Sequence, residues 1–157
     1  MDGNTLDTSG TPQFFAFMGC VAALVFSCLG AAVGTAKSGV GVCAVGVLDE
    51  TKVYKSLVPV IMAGVLGIYG IIVSVLIITR AKGTELLIQD AMKCFSAGLC
   101  CGLSSLASGM AIGVSGEAAV KAYALSDNMF VGMVLIMVFA GNVGLYGMIM
   151  GIIVIAF

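Results

Sequence analysis

The sequence predicts an all-α membrane protein of four transmembrane helices, arranged as two tandem helical hairpins. Three observations predict it: an apolar composition, four long runs without a charge, and an internal repeat. Of 157 residues, 61% are hydrophobic and only 10% are charged, and the mean hydropathy is +1.18. Soluble domains carry about 45–50% apolar and about 25% charged residues, so the bilayer is the solvent that suits this chain. A net charge of −1 without any basic patch gives no footing for nucleic acid.

The four charge-free runs are Thr8 to Ala36, Ser56 to Thr79, Cys94 to Gly116 and Asn128 to Phe157. Each exceeds the roughly 20 residues that cross a hydrocarbon core about 30 Å thick. None shows the alternation over about 10 residues that a β-barrel strand requires. Ahead of span one stand Asp2 and Asp7 rather than a basic segment, so no cleavable signal is expected and span one is retained. Loop one centres on Asp49, Glu50, Thr51 and Lys52, and span two opens at Pro59, where a first helical turn tolerates proline. Residues 80–93, with Arg80, Lys82, Glu85, Asp90 and Lys93, read as the polar joint before span three. Loop two, with Glu117, Lys121 and Asp127, reads as short and solvated. Four cations on one side against three on the other do not fix orientation by charge.

The repeat divides the chain into a first hairpin, residues 1–80, and a second, residues 81–157. Met62 to Ile72 lies over Phe139 to Ile149, with Gly67, Tyr69 and Gly70 matching Gly144, Tyr146 and Gly147. Gly19, Gly30 and Gly34 correspond more loosely to Gly98, Gly109 and Gly113. Internal duplication of this kind fixes the architecture more firmly than any single segment.

Glycine, present 22 times, indicates how the spans pack. In membranes it lets helix backbones approach closely. Gly30 and Gly34, Gly98 and Gly102, and Gly109 and Gly113 each stand four apart. Small residues cover much of spans one and three, whereas spans two and four are richer in Ile, Val, Leu and Met. This favours an oligomeric ring with the odd spans inside and the even spans toward lipid. The six cysteines, lying almost entirely in apolar runs without a CxxC pair or a histidine, read as small buried apolar residues rather than metal ligands. No metal ligand set, no catalytic residue and no nucleotide loop of the GxxxxGK[ST] type is present in the pattern.

These residues resemble the proteolipid c subunit of vacuolar-type (V-type) rotary ATPases. The likeness runs through Ala23–Val42, Val58–Ile72, Ser108–Gly113 and Phe130–Met133 in order and without gaps. The resemblance implies a ring of proteolipids in a vacuolar or other acidic endomembrane, with both termini lumenal. It implies as partners other c-type subunits, a static membrane subunit bearing an essential arginine, central-stalk subunits and lipid. It implies no cofactor beyond the translocated proton, which loads onto a carboxylate in span four. Alternative readings are a structural or pore-forming four-helix protein outside such an ATPase, and a small transporter. A transporter binds substrate at broken helices with polar groups at midplane, where this chain offers only Asn142, the two tyrosines and hydroxyls such as Ser74.

The resemblance places the carboxylate after Phe-Ala and before three residues and Leu-Tyr-Gly. This chain reads Phe139-Ala140-Gly141-Asn142-Val143-Gly144-Leu145-Tyr146-Gly147. The acid position is Gly141, and its repeat partner is Gly64. The Asn142 amide does not titrate, and the phenols of Tyr146 and its repeat partner Tyr69 have a reference pKa near 10. Both tyrosines read as polar-tipped packing residues. Glu117, at the end of span three, reads as solvated. Three origins fit the empty position: a ring member that carries no proton beside acid-bearing paralogues, an altered form of a normal subunit, or an error at 141–142.

Overall fold

The computed structural model describes residues 10–82 and 87–157. Its described residues form helices α1 (Gly10–Leu48), α2 (Val53–Ser56), α3 (Val58–Ala81), α4 (Ile88–Leu125) and α5 (Met129–Ala156), with a 3-10 turn over Glu50–Lys52 before α2. Four stretches are long and apolar enough to cross a membrane: Gly10–Leu48, Glu50–Ala81, Ile88–Leu125 and Met129–Ala156. With no water in the bilayer core, each spanning segment has to satisfy its own N–H and C=O groups, and the helix does so despite its glycines.

The helices outrun the charge-free segments. At 1.5 Å per residue, α1 and α4 are each roughly 57 Å long, against a core of about 30 Å. The joint between hairpins is correspondingly shorter than residues 80–93. Asp90 and Lys93 lie in the opening turns of α4, where the acid suits the helix N-terminus and the two side chains pair at 3.2 Å. Glu117 and Lys121 likewise belong to α4 rather than to loop two. They pair at 2.7 Å across one turn, so the charges that end a hydrophobic run do not end the helix. Loop two shrinks to residues 126–128.

The glycines explain the packing. A methyl group on Gly98 would run into the carbonyl oxygen of Gly19, and one on Gly109 into that of Gly30. One on Gly30 would lie 2.5 Å from Ser105 O, one on Gly34 2.8 Å from Gly109 O, one on Gly102 2.7 Å from Ala22 O, and one on Gly113 3.2 Å from Gly34 Cα. All six glycines read from the sequence thus lie on the α1–α4 seam, and glycines related by the repeat meet each other there. The pattern did not separate this internal seam from contacts between chains. Ala32, Ala107 and Ala111 supply a further small-residue surface that remains exposed.

The two hairpins are closed by the same device. A methyl on Gly70 of α3 would sit 2.9 Å from Ala23 O of α1, and one on its repeat partner Gly147 of α5 would sit 2.9 Å from Cys100 O of α4. Pro59 enters the first turn of α3 and fills the space beside Gly116, 2.8 Å from where a Cβ would stand. Only Cys94 and Cys101 are buried. Cys20 is half-buried, and Cys28, Cys43 and Cys100 are exposed on the chain's surface, which corrects the expectation of six buried thiols. A thiol is apolar enough for a surface that faces lipid or a neighbouring chain.

At the loop end, Asp49 caps the 3-10 turn by accepting from Thr51 N at 3.0 Å and Thr51 Oγ1 at 2.6 Å. These hydrogen bonds from Thr51 hold its carboxyl below the usual range. Lys52 ties the hairpins together. It pairs with Asp127 at 2.9 Å, donates to Ala124 O at 3.1 Å and lies 5.5 Å over the Tyr123 ring. Asp127 is largely exposed, and solvent screening leaves such a pair little to contribute. Asp127→Asn is therefore expected to lower the thermal midpoint of the purified protein only slightly.

Candidate functional site: the emptied midplane position

Gly141 is the thirteenth residue of α5, roughly 18 Å along from Met129 and near the middle of the span. No acidic or basic residue lies in α5. On the facing helix α3 the only charge is Arg80 in the last turn. The position is partly buried. A Cβ added there would meet a single neighbour, Met62 Cε of α3, at 3.5 Å, an ordinary van der Waals distance. The repeat partner Gly64 is exposed, and a Cβ there would meet nothing within 4 Å.

The surroundings of Gly141 are apolar. Ala63, Leu66, Ile112 and Met137 form a buried cluster, against which Met62, Tyr69 and Ala140 pack. The Ser108 hydroxyl of α4 donates to Ala140 O at 2.6 Å, which ties α4 to α5 one residue before the empty position. A methyl on Gly144 would stand 2.6 Å from Leu66 Cδ2, so α3 and α5 are locked one turn away from Gly141. Gly144 is filled by its neighbours; Gly141 is not.

The structure treats the other candidates differently. Tyr69 is half-buried and packs between two core clusters, in accord with a packing role. Tyr146 is 61% exposed. Asn142 is half-buried, and among the described residues its amide has no hydrogen-bond partner. Asn142 and Tyr146 stand one turn apart and so share a face of α5. Ser74, read from the sequence as a midplane hydroxyl, lies well past Gly64 toward the C-terminal end of α3, where it donates to Cys20 O at 3.0 Å and closes α3 onto α1. Sequence reasoning did not single out Met62 or the Ser108–Ala140 bond. The visible signal was slight: a serine one residue before Gly109 in a small-residue helix.

Two packed glycine-rich hairpins with an apolar midplane position on the last helix define a class of membrane proteolipid. The family of ATP synthase C subunits matches twice, over residues 18–77 and again over 95–154. The chain belongs to this family, and each match takes in one odd and one even span. Within curated proteins it is 48% identical, over 141 residues, to the c' subunit of the V-type proton ATPase of Saccharomyces cerevisiae (strain ATCC 204508 / S288c). That alignment covers 89% of this chain and 86% of the yeast protein.

Proposed function

We propose that this chain is a membrane-ring subunit of a V-type proton ATPase that builds the rotor without carrying a proton in its fourth span. It takes part in ATP-driven proton transport as a non-catalytic subunit of a vacuolar or other acidic endomembrane. The observation that carries the proton-silent part is Gly141: an emptied position inside an otherwise intact pair of hairpins. Support for the ring role comes from the family membership and from the near full-length likeness to a c' subunit.

The physics of the midplane sets the consequence. An ionised carboxylate at the bilayer centre costs about 3 kcal/mol or more. A ring acid must be neutral to face lipid and can ionise only beside a cation such as the arginine of a static partner subunit. This exchange couples rotation to transport. At Gly141 there is no group to neutralise, so the position passes from lipid to the static subunit and back without a proton. What an approaching guanidinium meets is the Asn142 amide oxygen, a neutral acceptor, and the exposed Tyr146 ring, a cation–π surface. A ring made only of this chain would move nothing, so it works beside acid-bearing c-type subunits and lowers the protons carried per turn by one for each copy.

The test is purification of the native membrane complex. Co-migration of this chain with ATPase subunits and with acid-bearing proteolipids is expected; a free homo-oligomer devoid of them would contradict the proposal.

A further inference from the structure

At the end of the bundle opposite the Lys52–Asp127 bridge, α3 and α5 part to leave a crevice of about 230 Å³. Its walls are two matched helix faces. Leu76, Thr79 and Arg80 stand at i, i+3 and i+4 on α3, and Ile152, Ile155 and Ala156 stand at the same spacing on α5. Outside it the surface remains apolar, with Ile72, Val75, Ile149 and Ile153 exposed. The crevice therefore opens onto an exposed apolar surface near the C-terminal ends of α3 and α5.

Its side-chain chemistry is one-sided, and the neighbouring acceptor Phe157 O is held by Lys93 at 3.2 Å. Thr79 Oγ1 donates to Leu76 O at 2.8 Å, so its proton is used within its own helix. That leaves the Arg80 guanidinium, which carries five N–H donors and no acceptor. One of them reaches Ala156 O at 3.5 Å, a long contact at the C-terminal end of α5. Among the described residues no side-chain carboxylate pairs with Arg80, and exposed Lys82 adds a second cation two residues on. A ligand for this place needs an apolar body, acceptor oxygens and negative charge at a single end. The volume is below the roughly 300–1,000 Å³ of a site for a whole drug-sized molecule, so it admits only part of such a ligand, with the remainder lying along the outer surface.

We propose that the α3–α5 crevice is a binding site for one anionic glycerophospholipid, its phosphate on the Arg80 guanidinium and part of one acyl chain between Leu76, Ile152 and Ile155. Charge decides against a zwitterionic lipid, whose own cation would be repelled by Arg80 and Lys82. A guanidinium–phosphate pair is charge-assisted and commonly two-pronged, which lysine does not reproduce.

The test uses the intact membrane complex reconstituted in phosphatidylcholine vesicles doped with a photo-crosslinking phosphatidylglycerol carrying its reactive group on the acyl chain. Adducts are expected on the Ile152–Ala156 and Leu76–Arg80 segments. Arg80→Gln should lower them about tenfold, as loss of one charge-assisted bond implies, while Arg80→Lys should retain part of the yield and both variants should assemble normally. Equal labelling by a phosphatidylcholine analogue, or yields unchanged in Arg80→Gln, would overturn the proposal. So would displacement by inorganic phosphate alone, which would make this a phosphate site, or adducts confined to other subunits of the complex.

Discussion

Gly141→Glu is expected to turn this chain from a proton-silent subunit into one that a hydrophobic carbodiimide modifies at residue 141. The substitution has the room it needs. The new Cβ meets only Met62 Cε, at 3.5 Å, and the unbranched thioether of Met62 yields easily. Beyond the Cβ, the side chain leaves from a half-buried position flanked by exposed Phe139 and Val143. The protein should therefore fold and assemble as before, because the neutral acid can face lipid. The readout changes from no adduct in α5 to an adduct at the level of acid-bearing subunits in the same ring. Proton transport per ATP should rise by the share of ring positions that this chain occupies. Gly64→Glu serves as the comparison: it places an acid in still more open space on α3, outside the family's carboxylate position, and should not raise transport.

Gly109→Ala is expected to be the most damaging single methyl in the chain. A Cβ there meets backbone, not a side chain that can swing away: the Gly30 carbonyl oxygen, and Gly30 Cα at 2.7 Å. Two helices held at backbone contact can accept it only by separating along the whole α1–α4 seam, where Gly19, Gly34, Gly98 and Gly113 also lie. Overpacking of ordinary cores costs about 1–3 kcal/mol, and the cost here should reach or exceed the top of that range. The recovery of the chain in detergent-extracted complex should fall by about tenfold or more, since about 1.4 kcal/mol corresponds to one decade. Gly64→Ala, where nothing stands within 4 Å, should assemble like the parent chain. If Gly109→Ala assembled equally well, the close seam would be wrong.

The four spans were legible because charge is the quantity a bilayer penalises, and the chain withholds it for more than 20 residues four times. The ends of α1 and α4 were not legible. Lys37, Asp90, Glu117 and Lys121 lie on long helices that outrun the charge-free segments, and pairing across a turn lets α4 carry Asp90 with Lys93 and Glu117 with Lys121. The glycine spacing announced close helix contacts, but one sequence cannot say whether Gly30 faces a helix of its own chain or of another. The structure assigns it to Gly109 of the same chain, its partner in the repeat.

The candidate position was located by its flanking residues, since Phe139-Ala140 and Leu145-Tyr146-Gly147 bracket Gly141 without a gap. What the sequence could not supply is the difference between two glycines three residues apart. Gly144 is glycine because Leu66 and Ser108 occupy its side-chain space. Gly141 is glycine although its space stands open to one flexible methionine. A packing requirement explains the first and not the second. The distinction depends on distances across α3, α4 and α5 that no one-dimensional pattern contains.

The central claim, that this subunit occupies a ring position without offering a proton site, is tested most directly on native membranes. They are treated with a hydrophobic carbodiimide, and the peptides covering residues 128–157 are then weighed by mass spectrometry. The expected result is the unmodified mass with glycine at residue 141, while acid-bearing proteolipids of the same complex carry the adduct. A carboxylate at residue 141, or an adduct anywhere in this segment, would contradict it.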